Sequence, residues 1–319
     1  MSRIYGSKEG TAIFREGNQE RIELQRNYHI ECYNCKLTVE HTNTTADFKN
    51  EDLLSLINGI QVIANGNETI KSVPANKFHI SNIMVSGKKG LQAVDKTDGA
   101  KTSYVWFRIY FAVPYLARPM DTVFNTAIYS SLNMLVNWSN SAKVGSGIVV
   151  NSAKLDVYSH ALTGYARNAG EKIMHFKETY LKKEVTATTN QLTIDLPTKQ
   201  LYKAFSIVST IDDKRVTSVI NSITLKSGTT VIVQLDAEEI KALNFDDYAV
   251  QNSADLDGIY IIDFLTRDRL SDLLDTTAQF NTLELVLDVT KQAGLNEIHI
   301  YSDIVEVKNV VEVQAPQGA

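Results

Sequence analysis

Alternation at every second position dominates the chain. In YVWFRIYFAV, residues 104–113, Val105, Phe107, Ile109, Phe111 and Val113 fall on one face, and Tyr104, Trp106, Arg108 and Tyr110 on the other. That is the period of a β-strand. LELVLDV repeats it with Leu283, Leu285, Leu287 and Val289, and Leu132, Met134, Val136 and Trp138 do the same earlier. YHIECYNCKLTVEH, KLDVYSH, QLTIDL, YKAFSIVS, TTVIVQL, GIYIIDF and EIHIYSDIVEVKNVVEV read as further strands. Helical spacing is confined to short stretches. Asn50 is placed to cap a helix carrying Leu53, Leu54 and Ile57, which Gly59 closes. Asp236 with Glu239 has capping-box spacing ahead of Ile240 and Leu243, and Thr266 precedes RDRLSDLL. Asn168 and Glu171 repeat that spacing before a stripe of Ile173, Phe176, Tyr180 and Leu181, with Lys182 and Lys183 where a helix dipole favours cations. This predicts a helical bridge. Residues 86–101, with three glycines, read as an exposed loop.

A short helix running into a strand is written twice. LLSLINGIQVIANG and VTSVINSITLKSG align Leu53, Leu56, Ile57, Asn58 and Ile60 with Val216, Val219, Ile220, Asn221 and Ile223 at a constant offset of 163. Phe124-Asn125-Thr126 and Phe280-Asn281-Thr282 form a second echo, offset by 156. Strands are not separated by full-length helices, which removes the parallel α/β folds. Each half carries roughly eight short strands, the number of a two-sheet jelly roll. The expected fold is therefore all-β: two tandem eight-stranded antiparallel jelly rolls with short helices in loops. The expected boundaries are an N-terminal arm over 1–20, a first jelly roll over 21–165, a helical bridge over 166–185, a second jelly roll over 186–313 and a tail over 314–319. The arm carries Arg3, Lys8 and Arg15 and reads as frayed, or as ordered only against a partner.

Composition removes several functions. The 319 residues suit two domains, and a net charge of −5 does not supply a basic nucleic-acid groove. No stretch has the apolar length of a membrane span, and the first residues lack the apolar core of a signal peptide. Fourteen tyrosines and eleven phenylalanines beside five prolines fit extensive sheet. Cys32 and Cys35, three apart on a strand, point to opposite faces and have no second pair to complete a zinc site. His29, His41, His79, His160, His175 and His299 are scattered without ligand spacing. Gly87–Gly90 and Gly145–Gly147 match no phosphate loop. The adjacent pairs Asp212–Asp213, Glu238–Glu239 and Asp246–Asp247 do not have the separation of glycosidase carboxylates. Asp255 and Asp257 fall short of a calcium shell. No catalytic residue, metal site or cofactor is expected. The aromatic face of Tyr104, Trp106, Arg108 and Tyr110 is left as an inter-subunit or inter-domain contact.

SVINSITLKSG…GIYIIDFLTRDRLSDLLDTTAQFNTLELVLDV, with LLSLINGIQVIANG…YVWFRIYFAVPYLARPMDTVFNT before it, resembles the double jelly-roll major capsid proteins of tailless, icosahedral, membrane-containing bacteriophages. The resemblance covers nearly all of residues 20–312. In that family a helix follows the sixth strand, where Arg269–Leu274 sits; Pro114 and Pro119 spoil the corresponding helix in the first half. The resemblance implies a homotrimer with a pseudo-hexagonal outline, packed against neighbouring capsomers and penton or minor capsid proteins in a virion shell. It also implies an internal lipid membrane, toward which Arg3, Lys8 and Arg15 would face or with which they would lock a neighbour. No active site and no specific nucleic-acid recognition come with it. Two other readings fit a double β-sandwich: a carbohydrate- or receptor-binding module such as a spike, using Tyr104, Trp106 and Tyr110 as its platform, and a two-domain hydrolase.

Overall fold

The computed structural model describes residues 2–26, 29–47, 50–75, 77–113, 122–163, 172–265, 270–278 and 280–309. The chain divides into two compact units. Unit 1 is Met1–Asn82, Lys89–Phe176 and Val307–Ala319; unit 2 is Ile83–Lys88 and Lys177–Glu306.

The first series of strands is β1 (Ser2–Ile13), β2 (Gln19–Glu23), β3 (His29–Asp47), β4 (Ile57–Ala64) and β5 (Glu68–Val73), then helix α1 (Lys77–Ser86), then β6 (Gln92–Ala93), β7 (Gly99–Tyr110), β8 (Phe124–Asn125), β9 (Leu132–Trp138) and β10 (Ser146–Thr163). The second series is β11 (Lys172–Glu184), β12 (Thr189–Asp195), β13 (Leu201–Ile211), β14 (Lys214–Arg215), β15 (Ile220–Ser227) and β16 (Thr230–Asp236), then helix α2 (Ala237–Asp247), then β17 (Ile259–Asp263), β18 (Leu274–Asp275), β19 (Glu284–Val289) and β20 (Asn296–Asn309).

Sheet order shows the duplication. The first series pairs as β1-β10-β3-β7 and as β2-β9-β4-β5. The second pairs as β11-β20-β13-β17 and as β12-β19-β15-β16. Leaving out the two-residue strands, both series place first beside eighth, third and sixth in one sheet, and second beside seventh, fourth and fifth in the other. That is the jelly-roll order, written twice. β4 and β15 start and end 163 residues apart, as the sequence echo requires. A bulge repeats too: β3 carries Glu31, and β13 carries Lys203, as an extra residue against its neighbour.

Alternation explains the cores. In unit 2, Phe205 and Ile207 of β13, Tyr260 and Ile262 of β17, Ile223 and Leu225 of β15, and Leu285 and Leu287 of β19 form one buried cluster. Two sheets with one apolar face each bury those faces together, and a one-residue slip in register would turn every such side chain outward. In unit 1 the same positions bury Tyr33, Leu37, Val62, Val105, Phe107, Ile109, Met134 and Val136.

Several expectations are corrected. Residues 1–20 are not a loose arm: Ser2–Ile13 pairs with β10 from Ser2↔Thr163 to Ile13↔Lys154. The helical bridge expected over 166–185 is not found in its described part, because Lys172–Glu184 is β11, the opening strand of the second series. A stripe at three- and four-residue spacing also fits a strand whose polar side chains are taken up sideways. Here the Tyr180 hydroxyl lies 2.8 Å from His299 Nδ1, Lys182 is 2.7 Å from Glu297, and Lys177 is 2.8 Å from Glu306. Gly59 lies within β4 and does not close a helix; Asn50–Leu56 is a 3₁₀ segment. The reading of residues 86–101 as loop misses β6 and the start of β7, and α1 before it was not foreseen. Leu270–Asp272 is a single 3₁₀ turn, while Asn168, Glu171 and Thr266, the PYLARPMD run and the tail lie outside the described residues. The Phe124/Phe280 echo does not join equivalent strands. β8 pairs β3, but the strand that takes that place on β13 is Leu274–Asp275, not Phe280.

The cluster between β11 and β20 gives unit 2 a pH dependence. His299 is buried, with Nε2 3.1 Å from Thr210 Oγ1, and burial pushes its pKa below the usual value although Glu297 pulls the other way. The unfolded chain therefore takes up this proton first. Stability is full above about pH 6.5, the unfolded value, and falls as pH drops until the folded value is passed. Thermal melts across this range should show the decline in the parent protein and a flatter profile in His299→Phe. Equal slopes would mean that His299 is not its source.

Candidate interaction face

The outer face of the sheet β1-β10-β3-β7 gathers the side chains that the alternation of β7 turns away from the core. Val105, Phe107 and Ile109 are buried; Tyr104, Trp106 and Tyr110 are half-buried, and Arg108 is exposed. β3 sets Thr38, Lys36, Asn34 and Cys32 opposite Tyr104, Trp106, Arg108 and Tyr110 in turn. Lys36 Nζ lies 5.0 Å from the Tyr104 ring centre and 5.6 Å from that of Trp106, a cation shared between two π faces. Tyr158 of β10 extends the platform, its ring 6.1 Å from Trp106. Arg108 Nη1 donates a long 3.5 Å bond to the Tyr110 hydroxyl. Burial raises the Tyr110 pKa, and the Arg108 contact only partly offsets it.

Asp156 anchors the other side of this face. Lys8 approaches to 2.8 Å, Lys154 to 3.7 Å, and the Thr11 hydroxyl donates at 2.6 Å. Burial alone would lift this carboxyl, yet the bonds from Lys8 and Thr11 and the charges of Lys8 and Lys154 hold it below its usual range. Arg15 sits in the turn after β1, 3.6 Å from Glu20, and Arg3 lies in β1 opposite Leu162. Lys8 thus joins the sheet face while Arg15 stays near the β1–β2 turn.

The two cysteines divide as their spacing requires. Cys35 is in the core, and Cys32 is buried on the outer face beside Tyr110 and His160. Burial pushes the Cys32 thiol up to about 12 and raises Cys35 as well, so both stay protonated and unreactive at neutral pH. Among the described residues no group of three or more His, Cys, Asp and Glu side chains is placed to hold a metal, and no helix is long and apolar enough to cross a membrane. What the face offers is aromatic area with cations over it, which suits packing against an acidic or π-rich surface rather than bond-making. Lys36, Tyr158 and Asp156 went unnoticed in the sequence because only the register of β3 and β10 brings them beside Trp106.

The corresponding face in unit 2 is closed. Ala204, Ser206 and Val208 of β13 and Ile259 and Ile261 of β17 are buried. The segment Ile83–Lys88 belongs to this unit, with Met84 Sδ 3.9 Å from Ser206 Oγ.

No protein-family model matches the sequence, and no curated protein is similar to it. Solved structures are similar in fold. The crystal structure of the STIV MCP, from Sulfolobus turreted icosahedral virus, superposes with a TM-score of 0.73 at 15% identity, covering 95% of this chain and 97% of that one. The major capsid protein P2 of bacteriophage PM2 gives 0.60 at 13% identity over 95% and 98%, and the PBCV-1 virus capsid gives 0.63 at 10% over 96% and 93%. The fold of this chain is the double jelly roll of these major capsid proteins, matched along nearly its whole length.

Proposed function

We propose that this chain is a viral major capsid protein. Three copies form a capsomer whose six jelly rolls give a pseudo-hexagonal outline. Capsomers tile an icosahedral shell with penton or minor capsid proteins, over an internal lipid membrane. The observation that carries this reading is the strand order written twice in one chain, matched end to end by capsid proteins of dissimilar sequence. Two similar units per subunit turn a threefold ring into six similar edges, which a hexagonal lattice needs. The face of Tyr104, Trp106, Arg108 and Tyr110 serves as a subunit contact. The membrane beneath the shell is carried by the sequence resemblance, not by any residue described above.

Light scattering on purified protein should give about 107 kDa, three times the 35.6 kDa of one chain, and negative-stain images of the same sample should show hexagonal particles. A monomer at every concentration would count against the capsomer. A trimer that builds nothing larger with its accessory proteins would move the reading to a receptor-binding spike.

A further inference from the structure

Duplication gives each series a helix after its fifth strand, and the two helices stop alike. Gly87 follows α1 and Ala249 closes α2 after Tyr248, both in the left-handed conformation with φ of 67° and 48°. Aligned on these caps, Phe78 corresponds to Ile240. Both are buried, Phe78 stacked on Phe107 and Ile240 in the core of unit 2. Beyond that point the helices differ. Ile83, within unit 2, is 0% exposed, whereas its counterpart Phe245 is 37% exposed and Leu243 46%. Met84 corresponds to Asp246 and Val85 to Asp247.

The sheets align as well. The bulges at Glu31 and Lys203 match Asn34 with Ser206 and Lys36 with Val208, and strand pairing then matches Arg108 with Ile261. Ser206 and Val208 are covered; Asn34 and Lys36 are half-buried and Arg108 is exposed. One chain therefore holds a closed sheet face with its helix end seated, an open sheet face, and an exposed helix end.

We propose that the last turn of α2 in one copy, with Leu243, Phe245, Asp246 and Asp247, seats on the Lys36–Trp106–Arg108 face of a second copy. The contact repeats the way the Ile83–Lys88 segment seats within unit 2. It deepens the homotrimer reading and rests on it. Because helix and face are different surfaces, the contact is head-to-tail, the kind that closes into a ring. Charge complementarity favours the occupant. Two carboxylates at a helix C-terminus oppose its dipole and are unfavourable in the isolated chain, and Arg108 and Lys36 would relieve them. The Asp247 carboxyl already shows the cost: burial raises its pKa, and Asp263 and Asp246 raise it further.

The test uses full-length protein and charge reversal at exposed positions, with circular dichroism to confirm folding. Arg108→Glu alone, and Asp246→Arg with Asp247→Arg, should each raise the trimer dissociation constant by about tenfold or more, and the three changes together should restore it. A parent trimer that neither reversal weakens, or a combined variant no better than its parts, overturns this contact and leaves the trimer standing. A parent that never trimerises overturns both.

Discussion

Truncating Phe107 to alanine should cost unit 1 about 3–5 kcal/mol, the range for removing a buried aromatic side chain. Phe107 is 1% exposed, and its ring stacks on Phe78 of α1 with centroids 4.7 Å apart and planes 14° apart. The cavity would sit between β7 and α1. The protein carries its own reporter, since its two tryptophans, Trp106 and Trp138, both lie in unit 1. Urea unfolding followed by tryptophan fluorescence should show the midpoint falling with the slope unchanged, the sign of lost stability rather than a changed unfolded state. A loss under about 1 kcal/mol would mean that α1 does not depend on this stack.

The second large effect lies at the bulge of β13. Lys203 Nζ is 3.3 Å from Asp263 Oδ2, with the two side chains only 7% and 3% exposed. The Tyr248 hydroxyl donates to the same oxygen at 3.0 Å, and the Leu265 amide donates to Oδ1 at 2.8 Å. Replacing Asp263 by alanine leaves a buried ammonium without this carboxylate and strips two other donors of their acceptor. The expected cost is about 3–5 kcal/mol. Replacing both partners with apolar residues, Lys203→Met with Asp263→Leu, should recover most of it, because a buried pair adds little over good packing. Calorimetry on the three proteins separates the cases. If the double variant melts as low as Asp263→Ala, the loss comes from the Tyr248 and Leu265 bonds and not from the Lys203 charge.

What was legible in the sequence follows from where each signal is stored. β19 and β7 announced themselves because each has one wet and one dry side, and that asymmetry is written locally. The offset of 163 matched the stretches that hold β4 and β15, but Ile57–Gly59 were read as the end of a helix and belong to β4. α2 was foreseen from Asp236 and Glu239, although Asp236 makes no side-chain capping bond and its role there is backbone geometry and charge. α1 was missed because Lys77–Met84 are all buried, leaving no polar stripe to reveal a helix. β1 and β11 were both misread, for one reason. Each opens a series and takes its ladder from strands far away in sequence, β1 from β10 and β11 from β20 among others, so neither carries in its own residues the pattern that makes it a strand. The interaction face was half legible: Tyr104, Trp106, Arg108 and Tyr110 came from periodicity, while the cation over the rings came from β3.

The pairing of β1 with β10 also sets the order of events as the chain is made. Ser2 meets Thr163, and β3, nineteen residues long, waits for the same strand along one edge. At a synthesis rate of about 5–20 residues per second, some 10–30 s separates the first partner from the last. Until β10 emerges, β1 has no ladder and the long edge of β3 lies open to any other extended chain. Contacts this far apart in sequence close slowly, because loop entropy must be met before they return anything. Crowded polysomes making many copies at once would therefore favour strand pairing between nascent chains, and the yield of native subunit should fall as slower translation lengthens the wait for β10.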